Sequence, residues 1–134
     1  MIGMLDQSLQ FNSAALRLRA ERQQVLAANI ANADTPGFKA ADFDFGRALE
    51  DASRGGTTQT GARLAAHAPG HIGGPASSTS ALLAYRTPAQ GSIDGNSVEM
   101  DAERARFADN AVRYEASLKF LNGQVKTILS AIQG

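Results

Sequence analysis

The chain has 134 residues, 43% of them hydrophobic, and its 13 basic residues balance its 13 acidic residues. This length allows one modest domain, and neutrality removes any general electrostatic attraction to nucleic acid or to an anionic membrane. The absence of cysteine excludes disulfides, thiolate nucleophiles and thiolate metal sites.

The N-terminus gives no sign of a targeting segment. Residues 1–6 lack the basic stretch and unbroken apolar run of a secretory signal, and no part of the sequence has the length of an apolar transmembrane span. We therefore expect neither a cleaved signal nor a membrane-crossing helix.

The first predicted element is a long N-terminal helix. Apolar residues recur there at helical spacing on one stripe, formed by Leu5, Leu9, Leu16, Leu26 and Ile30. Polar residues interrupt this stripe, and Leu18 and Val25 begin a second apolar line beside it. Such a two-sided pattern favours a helix that touches several neighbours. The arginines Arg17, Arg19 and Arg22 are predicted to lie on a solvated face.

The end of this helix is predicted by turn residues. The proline at position 36 favours an extended conformation at Thr35, and Pro36 with Gly37 fits the two central positions of a type II turn. We expect the helix to stop between residues 31 and 33.

The middle of the chain is predicted to be largely irregular, with one short helix and short β segments. The helix would lie within residues 42–50, capped by Asp44 and with Phe45 and Leu49 on one face. Residues 55–80 are rich in Gly, Ser, Thr and Pro and favour a loop. Residues 81–86 favour a short strand that ends before Pro88.

The strongest periodicity lies near the C-terminus and predicts a second long helix. Apolar residues alternate steps of four and three along a heptad seam formed by Phe107, Ala111, Tyr114, Leu118, Leu121, Val125, Ile128 and Ile132. Asn96 and Glu99 have the spacing of a capping box before this helix. Glu99, Asp101 and Glu103 place negative charge at its positive end.

We predict a mainly α fold in which the two terminal helices pair as an antiparallel coiled coil. Residues 1–35 would form the N-terminal helix and its exit, residues 36–96 a variable middle region, and residues 97–134 the heptad helix. Helices this long carry more apolar surface than the middle region covers, so the remainder should face other copies. The heptads do not say whose helix lies opposite each seam residue.

No catalytic, cofactor or metal site is predicted, and no small-molecule substrate. His67 and His71 are separated by Pro69 and Gly70, which excludes a shared helical face for a metal. The sequence has no Gly-x-Ser-x-Gly elbow and no phosphate-binding glycine loop. These patterns indicate an assembly protein and not an enzyme.

Two groups of residues resemble a known family. Residues 27–39, Ala-Ala-Asn-Ile-Ala-Asn-Ala-Asp-Thr-Pro-Gly-Phe-Lys, resemble a signature of bacterial flagellar rod and hook proteins. The helix-exit motif within them consists of Asn29, Ile30, Ala31, Asn32, Thr35, Pro36, Gly37 and Phe38. Residues 85–88, 94–104 and 107–114 are similar to the short rod subunits of that family.

The resemblance implies a structural subunit of the proximal rod, the driveshaft that crosses the periplasm in the flagellar basal body and serves motility. It implies polymerisation through the terminal helices. The implied partners are further copies of the chain, other rod subunits, and membrane-ring and rod-to-ring adaptor proteins. Delivery would use the flagellar type III export apparatus without a cleaved signal, and nucleic acid is not among the partners.

The exit motif contains more than a turn. Turn chemistry accounts for Thr35, Pro36 and Gly37, but not for Asn29 and Asn32. Two amides near a helix end can bond carbonyl groups of their own chain or of a neighbour, and we expect the neighbour.

Two other classes remain open from the sequence. A soluble cytoplasmic coiled-coil adaptor or chaperone would have the same composition and periodicity. An amphipathic membrane-surface protein is less compatible, because the net charge is zero and the second helix begins with acidic residues.

Overall fold

The fold is mainly α, as predicted, and contains two long terminal helices. The computed structural model describes residues 2–54, 84–85, 95 and 98–134. Its elements are α1 (Ile2–Ala31), β1 (Ala41–Asp42), α2 (Phe45–Ser53), β2 (Ala84–Tyr85) and α3 (Met100–Gln133). The predicted loop with both histidines, and the predicted cap residue Asn96, lie outside the described residues.

The long helices α1 and α3 pack side by side and run antiparallel. Ser8, near the start of α1, bonds Gln124, near the end of α3. Asn29, near the end of α1, bonds Glu103, near the start of α3. With 30 and 34 residues, the two helices are of similar length, about 45–50 Å at 1.5 Å per residue. The predicted antiparallel pairing is therefore confirmed.

The exit from α1 follows the predicted turn. The helix ends at Ala31, and the backbone N–H of Phe38 donates a hydrogen bond to the carbonyl of Thr35 at 3.2 Å. Between them Gly37 has a φ of 72°, the left-handed value that a type II turn requires at its third residue. The predicted end of the helix and the predicted turn are both confirmed.

The short helix α2 packs across the middle of α1. Its N-cap is Asp44, whose carboxylate accepts a hydrogen bond from the backbone N–H of Arg47 at 3.2 Å. A small apolar core joins α1 to this region through Leu18, Phe43 and Ala48, with Val25, Phe45, Leu49 and Ala52 packed against it. The second apolar line of α1 therefore contacts a different neighbour from the first, as expected for a two-sided helix.

The middle region contains a pair of two-residue strands. β1 and β2 pair antiparallel, with Ala41 opposite Tyr85 and Asp42 opposite Ala84. β2 lies inside the strand predicted over residues 81–86. The sequence did not predict β1, because two residues are too few to display an alternating pattern.

The predicted capping box of α3 is wrong. Helix α3 begins at Met100, so Glu99 is the N-cap residue itself and not the third residue of the helix. Its extended backbone, with φ −98° and ψ 99°, starts the helix later than the box required, and its side chain makes no capping hydrogen bond. Asp101 and Glu103 do lie in the first turn, where negative charge complements the helix dipole.

The turn after α1 requires a positive φ at Gly37, and this requirement can be tested. Alanine there must adopt a positive φ, so Gly37→Ala should lower the free energy of unfolding by about 1 kcal/mol or more. Gly46→Ala is a matched control inside α2, where alanine should be neutral or stabilising. Chemical denaturation of both variants checks this. Equal stability of the two variants would contradict the turn assignment.

Candidate assembly interface

The predicted seam of α3 divides into two lines with different surroundings. One line, half-buried in the chain, consists of Phe107, Tyr114, Leu121 and Ile128. The other line begins at the half-buried Ala111 and continues through Leu118, Val125 and Ile132, which are all exposed. The two lines lie side by side on the helix, and the second becomes exposed after Ala111 whereas the first stays half-buried along its whole length.

An exposed apolar surface follows from this division. We define the α3 ridge as Leu118, Val125, Leu129 and Ile132. Its side chains are between 38% and 77% exposed. Their spacing of three, four and seven residues places them on one flank of the helix. Leu118, Val125 and Ile132 are the part of the predicted seam that the described chain leaves open, and Leu129 lies beside them.

On α1 the predicted seam is covered more completely toward its C-terminal end. Leu26 is fully buried, Leu9 and Leu16 are half-buried, and Leu5 is exposed. The open ends of the two helices, the start of α1 and the end of α3, therefore lie together at one end of the antiparallel pair.

Polar side chains also repeat every seven residues along the side of α3 that faces α1. They are Glu103, Asn110, Ser117 and Gln124. Ser117 donates a hydrogen bond within its own helix, to the carbonyl of Arg113. The other three bond α1 and divide the apolar contact into segments. Buried polar residues at such positions fix the register of paired helices at some cost in stability.

The Gln124 contact lies near the open end of the pair. The amide of Asn12 donates to Oε1 of Gln124 at 2.7 Å, and Nε2 of Gln124 donates to the hydroxyl of Ser8 at 2.9 Å. One glutamine thus bonds side chains on two successive turns of α1. Sliding one helix past the other by one residue would break both hydrogen bonds.

The Asn110 contact lies in the middle of the pair. Asn110 is fully buried. Its Nδ2 donates to the backbone carbonyl of Arg19 at 2.9 Å and to Oε1 of Gln23 at 2.7 Å. Both amide protons are therefore used, and both acceptors belong to α1.

Asn29 joins three parts of the chain where the end of α1 meets the start of α3. Its Nδ2 donates to the carbonyl of Ala41 at 2.8 Å and to Oε2 of Glu103 at 3.1 Å, and its Oδ1 accepts from the N–H of Ala41 at 3.1 Å. The residue is 1% exposed. Our expectation that Asn29 bonds a neighbouring chain is wrong, because its own chain uses all of its amide hydrogen-bonding groups.

Asn32 also bonds within its own chain. Its Nδ2 donates to the carbonyl of Ala28 at 2.8 Å, and its Oδ1 accepts from the hydroxyl of Thr35 at 3.2 Å. The same carbonyl accepts the backbone N–H of Asn32 at 3.1 Å, so the side chain adds a second hydrogen bond at the end of α1 and steadies the exit turn. Because Thr35, Pro36 and Gly37 are exposed, a role for the turn in contacting other subunits stays a prediction.

The carboxylate of Glu103 is buried and has charged and amide partners. Besides Asn29, it pairs with the guanidinium of Arg106 at 3.0 Å. A buried charge is stable only with such partners. Sequence reasoning gave Glu103 a helix-dipole role alone. Its seven-residue spacing from Asn110, Ser117 and Gln124, one position from the predicted seam, was the signal for a contact with α1.

Two of the arginines predicted to be solvated are instead bound within the chain. Arg22 forms two hydrogen bonds with the carboxylate of Asp42, at 3.1 and 3.0 Å. The guanidinium of Arg19 lies 4.2 Å from the ring centroid of Phe45. Burial, reinforced by Arg113 and Arg22, lowers the pKa of Arg19. Only Arg17 is exposed as predicted.

The comparisons with known proteins agree with this geometry. A family model described as "Flagella basal body rod protein" matches residues 9–39. The flagellar basal body rod protein FlgB of Salmonella typhimurium is 46% identical over 136 residues, covering 100% of this chain and 99% of the relative. The FlgB proteins of Escherichia coli K12 (47% identity; 99% and 98% coverage) and Cereibacter sphaeroides (46%; 100% and 99%) match equally well.

The chain belongs to the FlgB family of flagellar basal body rod proteins. The segment that matches the rod-protein model, residues 9–39, includes Asn12, Arg19, Gln23 and Asn29. These residues contribute the α1 side of contacts to Gln124, Asn110 and Glu103. No finding favours the cytoplasmic adaptor. Among the described residues, no helix is long and apolar enough to cross a membrane.

The three-way contact of Asn29 predicts a large effect of an isosteric change. Asn29→Asp removes both donors and places a second carboxylate beside Glu103, so the free energy of unfolding should fall by about 3 kcal/mol. Asn32→Asp makes the same exchange at the exit turn and should cost less than about 1 kcal/mol. Urea denaturation of the two variants measures the difference, and similar losses would argue against the buried contact.

Proposed function

We propose that the chain is a structural, non-catalytic subunit of the proximal part of the flagellar rod, polymerising through its two terminal helices. It acts in the flagellar basal body and contributes to the shaft that drives motility. The relatives named as rod proteins support this proposal, because they align with this chain from end to end.

The α3 ridge is the observation that supports polymerisation most directly. One apolar line of α3 packs toward α1, whereas the ridge faces outward on the same rigid helix. A continuous exposed apolar surface of this kind marks a protein contact. Covering it with neighbouring helices would supply the hydrophobic contribution to assembly.

The polar contacts between α1 and α3 suit a subunit that transmits torque. Gln124, Asn110 and Glu103 each bond α1 at a different height along the pair. Sliding one helix against the other would break these bonds together, leaving buried polar groups unpaired. A subunit held in this way transmits torque as one body.

The proposal extends to specific partners. These are further copies of this chain, other rod subunits, membrane-ring proteins and rod-to-ring adaptor proteins. Export through the flagellar type III apparatus without a cleaved signal is also part of the proposal, as expected for a family that assembles outside the cytoplasm. We assign no catalytic step, because the buried polar side chains Asn29 and Asn110 serve helix–helix contacts.

Substitution in the ridge tests the proposal. Val125→Asp places a charge on an exposed part of α3, so the free chain should keep its fold while incorporation into basal bodies falls at least tenfold. Swimming should be lost in a strain that has only this variant. The measurements are the amount of chain in purified basal bodies and the far-UV circular dichroism of the isolated protein.

Ala108→Asp is the matched control, because Ala108 is exposed on α3 and lies ten residues before the ridge begins. It should assemble and support swimming. Normal basal bodies containing Val125→Asp would refute the assembly role of the ridge.

A further inference from the structure

We propose that the α3 ridge of one copy docks into a groove on the opposite flank of the helix pair of a second copy. This inference rests on the proposed rod function and names the surface that the ridge contacts. The contact joins two different surfaces, so each copy offers one ridge and one groove.

The groove lies where the start of α1 meets the end of α3. It has a volume of about 540 Å³, and the residues that line it include Leu5, Leu9, Lys119, Phe120, Gly123 and Ile128. Phe120 forms a wall that is 59% exposed. The lining is mostly apolar and open to one side, a shape that suits a row of apolar side chains.

Gly123 indicates that a neighbour occupies this groove. It lies inside α3, where glycine destabilises a helix relative to alanine. A Cβ atom added there would meet nothing within 4 Å. The fold of the single chain therefore does not require glycine at this position. Glycine does permit the close approach of another chain to the helix backbone.

The occupant is a second copy because the chain itself carries a complementary surface. At about 100° per residue, Phe120 and Thr127 lie on one flank of α3, whereas Leu118 and Val125 lie on the other. A contact between unlike surfaces continues from copy to copy into an open assembly and does not close into a symmetric dimer. An open assembly is what a rod requires.

Charge agrees with this arrangement. Lys119 lines the groove, and the exposed Glu115 lies three residues before Leu118, beside the ridge. Docking the ridge of one copy into the groove of the next would bring these opposite charges toward each other, and would favour correct pairing over ridge-to-ridge contact.

Paired cysteines test the contact, since the chain has no cysteine of its own. Thr127→Cys in the groove and Leu118→Cys in the ridge are introduced into two copies that carry different epitope tags. Both are expressed in one flagellated strain, and its basal bodies are oxidised. We expect a disulfide-linked dimer that contains both tags, and at least tenfold less dimer when either variant is expressed alone.

The outcomes separate this inference from the proposed function. Basal bodies that contain both variants but form only Leu118→Cys homodimers, or no disulfide, would overturn ridge-in-groove docking and leave the rod function intact. Absence of even the unsubstituted chain from basal bodies would overturn the rod function itself.

Filling the groove is an independent check. Gly123→Ala should raise the thermal midpoint of the free chain, because alanine favours the helix, yet lower incorporation into basal bodies. Gly123→Leu should reduce incorporation at least tenfold, whereas Ala108→Leu, which adds the same side chain on an exposed part of α3 eleven residues before the groove, should assemble normally. Wild-type incorporation of Gly123→Leu would overturn the docking.

Discussion

The rest of the structure depends on the buried hydrogen bonds of Asn29. They join the end of α1 to the backbone of Ala41 and to the carboxylate of Glu103. Buried polar groups stabilise a fold only when all their partners are in place. This contact therefore fixes the register of α3 against α1 and the position of β1. The Gln124 and Asn110 contacts repeat that constraint along the pair.

Fixing the register also decides which side of α3 remains open. Three of the four polar residues in the seven-residue series of α3 bond α1, so the line that contains Leu118 and Val125 is turned outward. A pair optimised only for its own stability would place apolar residues at Asn110 and Gln124. The observed pair instead accepts less apolar burial inside the chain and presents a ridge of defined position outside it.

Patterns with a local cause were predictable from the sequence. An interrupted apolar stripe predicted α1 and a heptad seam predicted α3, while Pro36 and Gly37 predicted the turn and Asp44 the start of α2. Hydrogen-bond partners distant in the sequence were not predictable. The residues next to Asn29 do not indicate that its amide bonds Ala41 and Glu103. The prediction of the α3 cap failed for a related reason. Several residues could begin the helix, and only the extended backbone at Glu99 shows that it begins at Met100.

The energetics explain how such a subunit can remain separate until it meets a growing rod. Burying a large apolar side chain contributes about 1.5–3 kcal/mol at most, while association costs at least about 4 kcal/mol in lost freedom. A ridge of four partly exposed side chains therefore gives weak pairing between two free copies. At the end of a rod, several surfaces of one subunit are covered together. The subunit then loses its translational and rotational freedom only once for all of these contacts. In the proposed function, weak single contacts and strong combined ones would restrict polymerisation to the end of the rod.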